Sequence, residues 1–151
     1  MNSRKCSDEL DVGIGEIDAQ HHHLANFINA LAAAKITGTG RKQLSLMLDE
    51  LAADMAAHFA FEVEMFEYTG YINAREHKRS HSKLLQQLGK YRFRFRAGDD
   101  VLDVVVDMLK TWLPNHIKHD DAKYAASLRD VAISVRTSWK ENKNEGKSSV
   151  V

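Results

Sequence analysis

The stretch Leu44 to Glu62, LSLMLDELAADMAAHFAFE, decides the fold class. Leu44, Leu48, Leu51, Met55, His58 and Glu62 advance through it in steps of 4, 3, 4, 3 and 4. That is the repeat of one helix face turned into a buried seam; a strand would alternate with period two. The seam begins aliphatic and ends on an imidazole and a carboxylate. It therefore predicts a long helix with a polar site near one end.

Three more seams follow the same rule. One runs His21, Leu24, Ile28, Leu31, a second His77, His81, Leu84, Leu88, Tyr91, Phe95, and a third Val105, Leu109, Trp112, His116. Breaks separate them at Thr37 to Gly40, at Tyr68 to Tyr71 and at Gly98, where a C-cap is expected. Asp18 is the expected N-cap of the first helix, and Asp99 or Asp100 that of the fourth. Val101 to Val106 is β-branched like a strand, but its continuing helical spacing and the lack of a partner strand favour helix. Pro114, the only proline, predicts a kink or local break near His116.

Short breaks between long amphipathic helices predict an all-α, up-down-up-down antiparallel four-helix bundle. A short additional C-terminal helix is expected from the stripe Tyr124, Leu128, Val131, Val135, Trp139. The division is then an N-terminal arm over 1–17, the bundle over 18–124, the extra helix over 125–139 and a polar, disordered tail over 140–151. The extra helix could dock on the bundle or form a dimer surface on an otherwise monomeric chain.

The polar seam positions fall at one level. Glu62 lies eight residues before Gly70, and His77 and His81 lie seven and eleven after it. His81 and His77 lie 17 and 21 residues before Gly98, and His116 lies 18 after it. His21 lies 17 before Gly38 and His58 lies 20 after it. At a rise of about 1.5 Å per residue these groups gather within about a turn or two of one plane. His58 and Glu62 are spaced i, i+4, as are His77 and His81, so each pair points one way. Asp121 follows His116 by five residues. A straight helix turns residues at that spacing about 140° apart, so both reach one site only if the helix ends or bends between them.

A lone seam histidine is more often a core residue than a ligand. Five on facing seams, without partners, would each cost on the order of 1–3 kcal/mol to bury. A metal centre removes that cost. One structural metal needs only about four ligands; the seven candidates His21, His58, Glu62, His77, His81, His116 and Asp121 suggest two metals side by side. Imidazole-rich ligation suits iron, copper or zinc better than magnesium or calcium. The Glu-x-x-His pairs of ferritin-type bundles are absent from the sequence, which disfavours ferroxidase chemistry. His22 and His23 are rotated off the seam and His119 belongs on an outer face, so all three read as solvated.

Composition narrows the classes further. The 151 residues carry 21 Lys+Arg against 21 Asp+Glu, so no strong field attracts nucleic acid or anionic lipid. No apolar run is long enough for a membrane span or a signal peptide. Cys6 is the only cysteine, excluding an internal disulfide, and reads as an inert or exposed thiol. These features predict a cytoplasmic protein.

Four motifs carry a family resemblance. Val12-Gly13-Ile14-Gly15-Glu16-Ile17-Asp18-Ala19-Gln20-His21 resembles the first-helix motif of the bacterial hemerythrins. His58-Phe59-Ala60-Phe61-Glu62, His77-x-x-x-His81 and Trp112-Leu113-Pro114-Asn115-His116-Ile117-x-x-x-Asp121 resemble the other three. The resemblance spans roughly Ser7 to Tyr124. Family members often carry an aromatic residue where this chain has Cys6.

The resemblance implies a non-heme di-iron centre. His77, His81 and His116 would bind one iron, and His21 and His58 the other. Glu62 and Asp121 would bridge them together with an oxo or hydroxo group. It implies reversible O2 binding, for storage or delivery to an oxygen-consuming enzyme, with no enzymatic turnover. Leu24, Trp112, Leu113 and Ile117 match the family's apolar pocket wall. The alternatives at the same site are an O2 or redox sensor, or an enzyme acting on peroxide or nitric oxide. A metal phosphohydrolase, suggested by the dipeptide His119-Asp120, leaves His58, Glu62, His77 and His81 unexplained.

Overall fold

Each of the four seams becomes one face of a helix in the computed structural model, which describes residues 10–130. The helices are α1 (Gly15–Ile36), α2 (Arg41–Thr69), α3 (Ala74–Arg96) and α4 (Leu102–His116). Helices consecutive in sequence pack on each other, and α1 also packs on α4, closing a four-membered ring. Their connections are short, so neighbours run antiparallel in up-down-up-down order. Leu31, Leu51, Met55, Val105 and Leu109 are fully buried along the axis. Val101 to Val106 forms the cap and start of α4, with Val101, Leu102, Val105 and Val106 in this core, and no strand occurs among the described residues.

The helix ends depart from two cap expectations. α1 starts at Gly15, so Asp18 lies inside its first turn. Its carboxylate instead accepts the Val12 N–H at 2.7 Å and the Gly13 N–H at 3.1 Å, closing the turn that leads into the helix. α4 is capped by Val101 rather than by Asp99 or Asp100. Those two acids serve the surface: Asp99 accepts from Arg94, and Asp100 faces Lys35 at 3.5 Å. Further pairs join Lys35 to Asp103 and Asp49 to Arg92 and Arg96 at the end of the bundle away from the histidines. Exposed pairs of this kind contribute little singly. α3 stops at Arg96, and Gly98 follows at φ +109.

Helical backbone does not stop at His116. It continues as one π turn, Ile117–Asp121, and then as α-helix through the described residues 122–130. This is the local break expected from Pro114, realised as an extra residue in the turn. Tyr124 and Ala125 are fully buried, and Arg129 donates to the Val12 carbonyl at 3.2 Å. The start of the C-terminal helix thus docks on the bundle and on the entry to α1. Cys6, Val131, Val135, Trp139 and the 140–151 tail lie outside the described residues.

Two glycines offer opposite tests of this backbone. Gly70 ends α2 in the left-handed region at φ +66 and donates its N–H to the Phe66 carbonyl. Gly89 lies within α3 with open space where a Cβ would sit. Gly70→Ala should destabilise the fold by about 1–2 kcal/mol. Gly89→Ala should stabilise it by about 0.5–1 kcal/mol. Urea denaturation of the two variants checks both signs.

Candidate metal centre

The site forms at the end of the bundle where α1 and α3 begin, α2 ends and α4 passes into the π turn. His21, His58, His77, His81 and His116 are each at most 4% exposed, and Glu62 and Asp121 are fully buried. The structure brings all seven predicted residues together. The π turn explains Asp121. The Ala122 N–H reaches the Ile117 carbonyl across five residues. That wider turn brings residues five apart onto one side, and the Asp121 Oδ1 lies 3.1 Å from the His116 Nε2.

Each carboxylate divides its two oxygens between two groups of imidazoles. Glu62 Oε1 faces His58 Nε2 at 3.2 Å and His21 Nε2 at 3.9 Å. Its Oε2 faces His81 Nε2 at 3.0 Å and His77 Nε2 at 3.5 Å. Asp121 Oδ2 lies 3.0 Å from His21 Nε2, while its Oδ1 lies 2.8 Å from His77 Nε2. The Nε2 atoms of His77 and His81 stand 3.1 and 3.0 Å from that of His116. Two donor sets result, sharing Glu62 and Asp121. His77, His81 and His116 complete one and His21 and His58 the other, and within each set the ligand atoms lie within 4.8 Å of one another.

Protein atoms alone do not satisfy this cluster. His21 Nε2, both Glu62 oxygens and both Asp121 oxygens are buried without a hydrogen-bond partner. His116 Nε2, which faces the Nε2 atoms of both His77 and His81, cannot be paired with both by protons, since each nitrogen of a neutral ring is either one donor or one acceptor. Donors about 2.1 Å from a common ion and at right angles to each other stand about 3.0 Å apart. The observed separations fit that spacing, and the imidazole-carboxylate set fits a transition metal.

The electrostatics point the same way. Burial opposes charge on His21, but Asp121 and Glu62 outweigh it and raise the imidazole to about 9. The same balance raises His77 to about 9. His81 is lowered by burial and by neighbouring His116 and His77, against Glu62. Burial pushes Glu62 up, but His21, His58, His77 and His81 together hold it well below the usual carboxylate range. Asp121 is likewise held low by His116, His21 and His77 against burial and against repulsion from Glu62. A metal-free cluster is thus two carboxylates neutralised by two imidazoliums, a charge pattern that cations can replace.

Residues outside the seven orient the rings. His58 Nδ1 meets Gln20 Oε1 at 2.6 Å, His21 Nδ1 meets the Leu10 carbonyl at 3.2 Å, and His116 Nδ1 meets Asp120 Oδ2 at 2.9 Å. The Gln20 and Leu10 carbonyl bonds draw the ring proton of His58 and His21 to Nδ1 and leave Nε2 as the nitrogen that faces inward, while Asp120 stands beside His116 Nδ1 as a close charge. Phe59 stacks on His81 with centroids 3.8 Å apart, and Trp112 stacks on His116 at 4.2 Å. Sequence reading missed Gln20, Leu10, Phe59 and Asp120 in these roles. Only Asp120 carried a signal, its i, i+4 spacing from His116.

Of the expected pocket wall, Leu24, Leu113 and Ile117 are buried. Leu24 lines a groove of about 340 Å³ with Gln20 and His58. Trp112 is half-buried and lies on the other side, over His116. His22 and His23 are off the centre, paired with Asp11 at 2.6 Å and Asp54 at 2.8 Å, and His119 is exposed.

Comparison with known proteins agrees with this geometry. Residues 12–128 match the family model described as the hemerythrin HHE cation binding domain. The chain is 38% identical over 122 residues to a bacteriohemerythrin of Stenotrophomonas maltophilia, covering 81% of this chain and 79% of that one. It is 31% identical to a hemerythrin-like protein of Naegleria gruberi, covering 78% and 87% of the two chains. A crystal structure of a leucine-to-phenylalanine mutant superposes with a TM-score of 0.75 at 28% identity, covering 81% of this chain and 93% of that one.

The raised imidazoles give a pH prediction with a definite sign. His21 and His77 bind protons more tightly folded, at about 9, than at their ordinary 6.5. Their stabilisation is complete below pH 6.5 and is lost as pH rises through 9. His81 shifts the opposite way, but its effect falls below pH 6.5. The melting temperature of metal-free protein should therefore fall between pH 6.5 and 9. Metal loading at pH 7.5 should release about two protons per chain, measurable by calorimetry in buffers of different ionisation heat. Loading without proton release would contradict this charge balance.

Proposed function

Since the chain belongs to the hemerythrin family, we propose that it binds O2 reversibly at a pair of iron ions and turns over no substrate. In this reading His77, His81 and His116 hold one iron, and His21 and His58 the other. Glu62 and Asp121 would be shared by both ions, which the oxo or hydroxo group of a di-iron centre would complete. The reduced pair supplies the electrons that O2 takes up and returns.

The observation that carries the reading is the inequality of the two donor sets. One offers three imidazoles and the other two, around the same two carboxylates. An external ligand on the His21–His58 side meets no third histidine. Reversibility then depends on what the chain keeps away. Buried Leu24, Leu113 and Ile117 offer neither a proton nor a foothold for water. The Leu10 and Gln20 bonds hold His21 and His58 facing inward through binding and release, and the Trp112 stack holds His116. We further propose a monomer that stores O2, or hands it to an oxygen-consuming enzyme, in the cytoplasm. No helix among the described residues is long and apolar enough to cross a membrane.

An oxygen electrode tests the proposal. Reduced, iron-loaded protein should take up one O2 per chain and return it under argon. Uptake that is never returned would favour peroxide or redox chemistry instead. His58→Ala should abolish the reversible uptake. Leu113→Ala should keep it but speed oxidation of the iron severalfold by admitting water, and an unchanged rate would remove Leu113 from the wall.

A further inference from the structure

The five imidazoles differ in what stands behind them. His21 is backed by the Leu10 carbonyl and His58 by the Gln20 amide oxygen, both neutral. The Nδ1 atoms of His77 and His81 are buried without a hydrogen-bond partner. Among the described residues, His116 alone of the five has a carboxylate behind it, its Nδ1 lying 2.9 Å from Asp120 Oδ2. The hydrogen-bond partner of that nitrogen is the Ser80 hydroxyl at 3.4 Å, and Asp120 stands closer as a charge. Consecutive residues of the π turn therefore occupy opposite edges of one ring: Asp120 lies at Nδ1, and Asp121 lies 3.1 Å from Nε2.

Asp120 sits at the solvent edge of the centre. Its side chain is 39% exposed and borders a groove of about 730 Å³ that it lines with Trp112, Asn115 and His119. The carboxylate stays in contact with water while the ring it holds points into the dry cluster. Trp112 covers the ring face, so the Nδ1 edge is where solvent-side charge reaches His116. A carboxylate charge held beside one nitrogen of an imidazole strengthens the ring as a metal ligand through its other nitrogen more than a neutral amide does.

We propose that Asp120 is a positioning residue that makes the His77–His81–His116 side the tighter metal position, so that the two ions load in order, that side first. The inference rests on reading the centre as a two-metal site. Donor number favours the same order, with five protein groups on that side against four on the other. Gln20, in the equivalent place behind His58, has the shape to orient but no charge to strengthen.

Cobalt(II) titration of the metal-free full-length chain tests this, read by ligand-field absorbance against a competing chelator. The wild type should bind two ions in two resolved steps. Asp120→Asn should weaken the first step 10–100-fold and leave the second within about threefold. Asp120→Glu should restore most of the loss. Gln20→Glu, which puts an anion behind His58, should tighten the second step and draw the two together. Equal weakening of both steps by Asp120→Asn, or a first step indifferent to it, would overturn the inference while leaving the two-metal site standing. A wild type that binds fewer than two ions would instead contradict the two-metal reading itself.

Discussion

Two carboxylates, Glu62 and Asp121, stand fully buried between the four helices near one end of the bundle, and none of their four oxygens has a hydrogen-bond partner among the described residues. Every other feature of the site answers to them. An uncompensated pair of buried anions would be strongly destabilising. Five imidazoles converge on them from four directions, and two of those rings are raised to about 9 by that contact. In the absence of metal, the raised imidazoles put protons where cations would fit. The site's proposed role follows from the same fact: anions shared between two imidazole groups can hold two ions close together.

The bundle supplies this geometry by simple means. Antiparallel neighbours bring helix beginnings beside helix ends, so a site near one end draws on all four helices. The aliphatic remainder of each seam, including Leu31, Leu51 and Met55, packs the rest of the axis and fixes the helices against one another. Aromatic rings then seat individual histidines: Phe59 lies nearly parallel to His81, and Trp112 to His116. Rotamer freedom that would loosen the donors is removed by packing before any ion is bound.

Much of this was legible in the chain because periodicity is local. The steps of 4 and 3 residues in Leu44–Glu62 and His77–Phe95 specify both helix and face, and loop lengths fix which ends meet. The seven candidate residues emerged from that arithmetic and from family resemblance. The π turn was legible only as a need: His116 and Asp121 could share a site if the helix broke, but nothing in Ile117 to Asp121 says that it breaks by inserting a residue. The caps were misread at Asp18, Asp99 and Asp100 for a common reason. Each acid had a competing partner, and for Asp100 it was Lys35, distant in sequence. Gln20 behind His58 escaped notice because its meaning depends on a contact across 38 residues.

The central claim is that Glu62 and Asp121 are shared by two ions. Anomalous diffraction at the iron edge from crystals of the iron-loaded protein tests it most directly. The account predicts two anomalous peaks per chain, each in contact with both carboxylates, one beside His77, His81 and His116 and the other beside His21 and His58. A single peak, or two peaks that do not share Glu62 and Asp121, would contradict it.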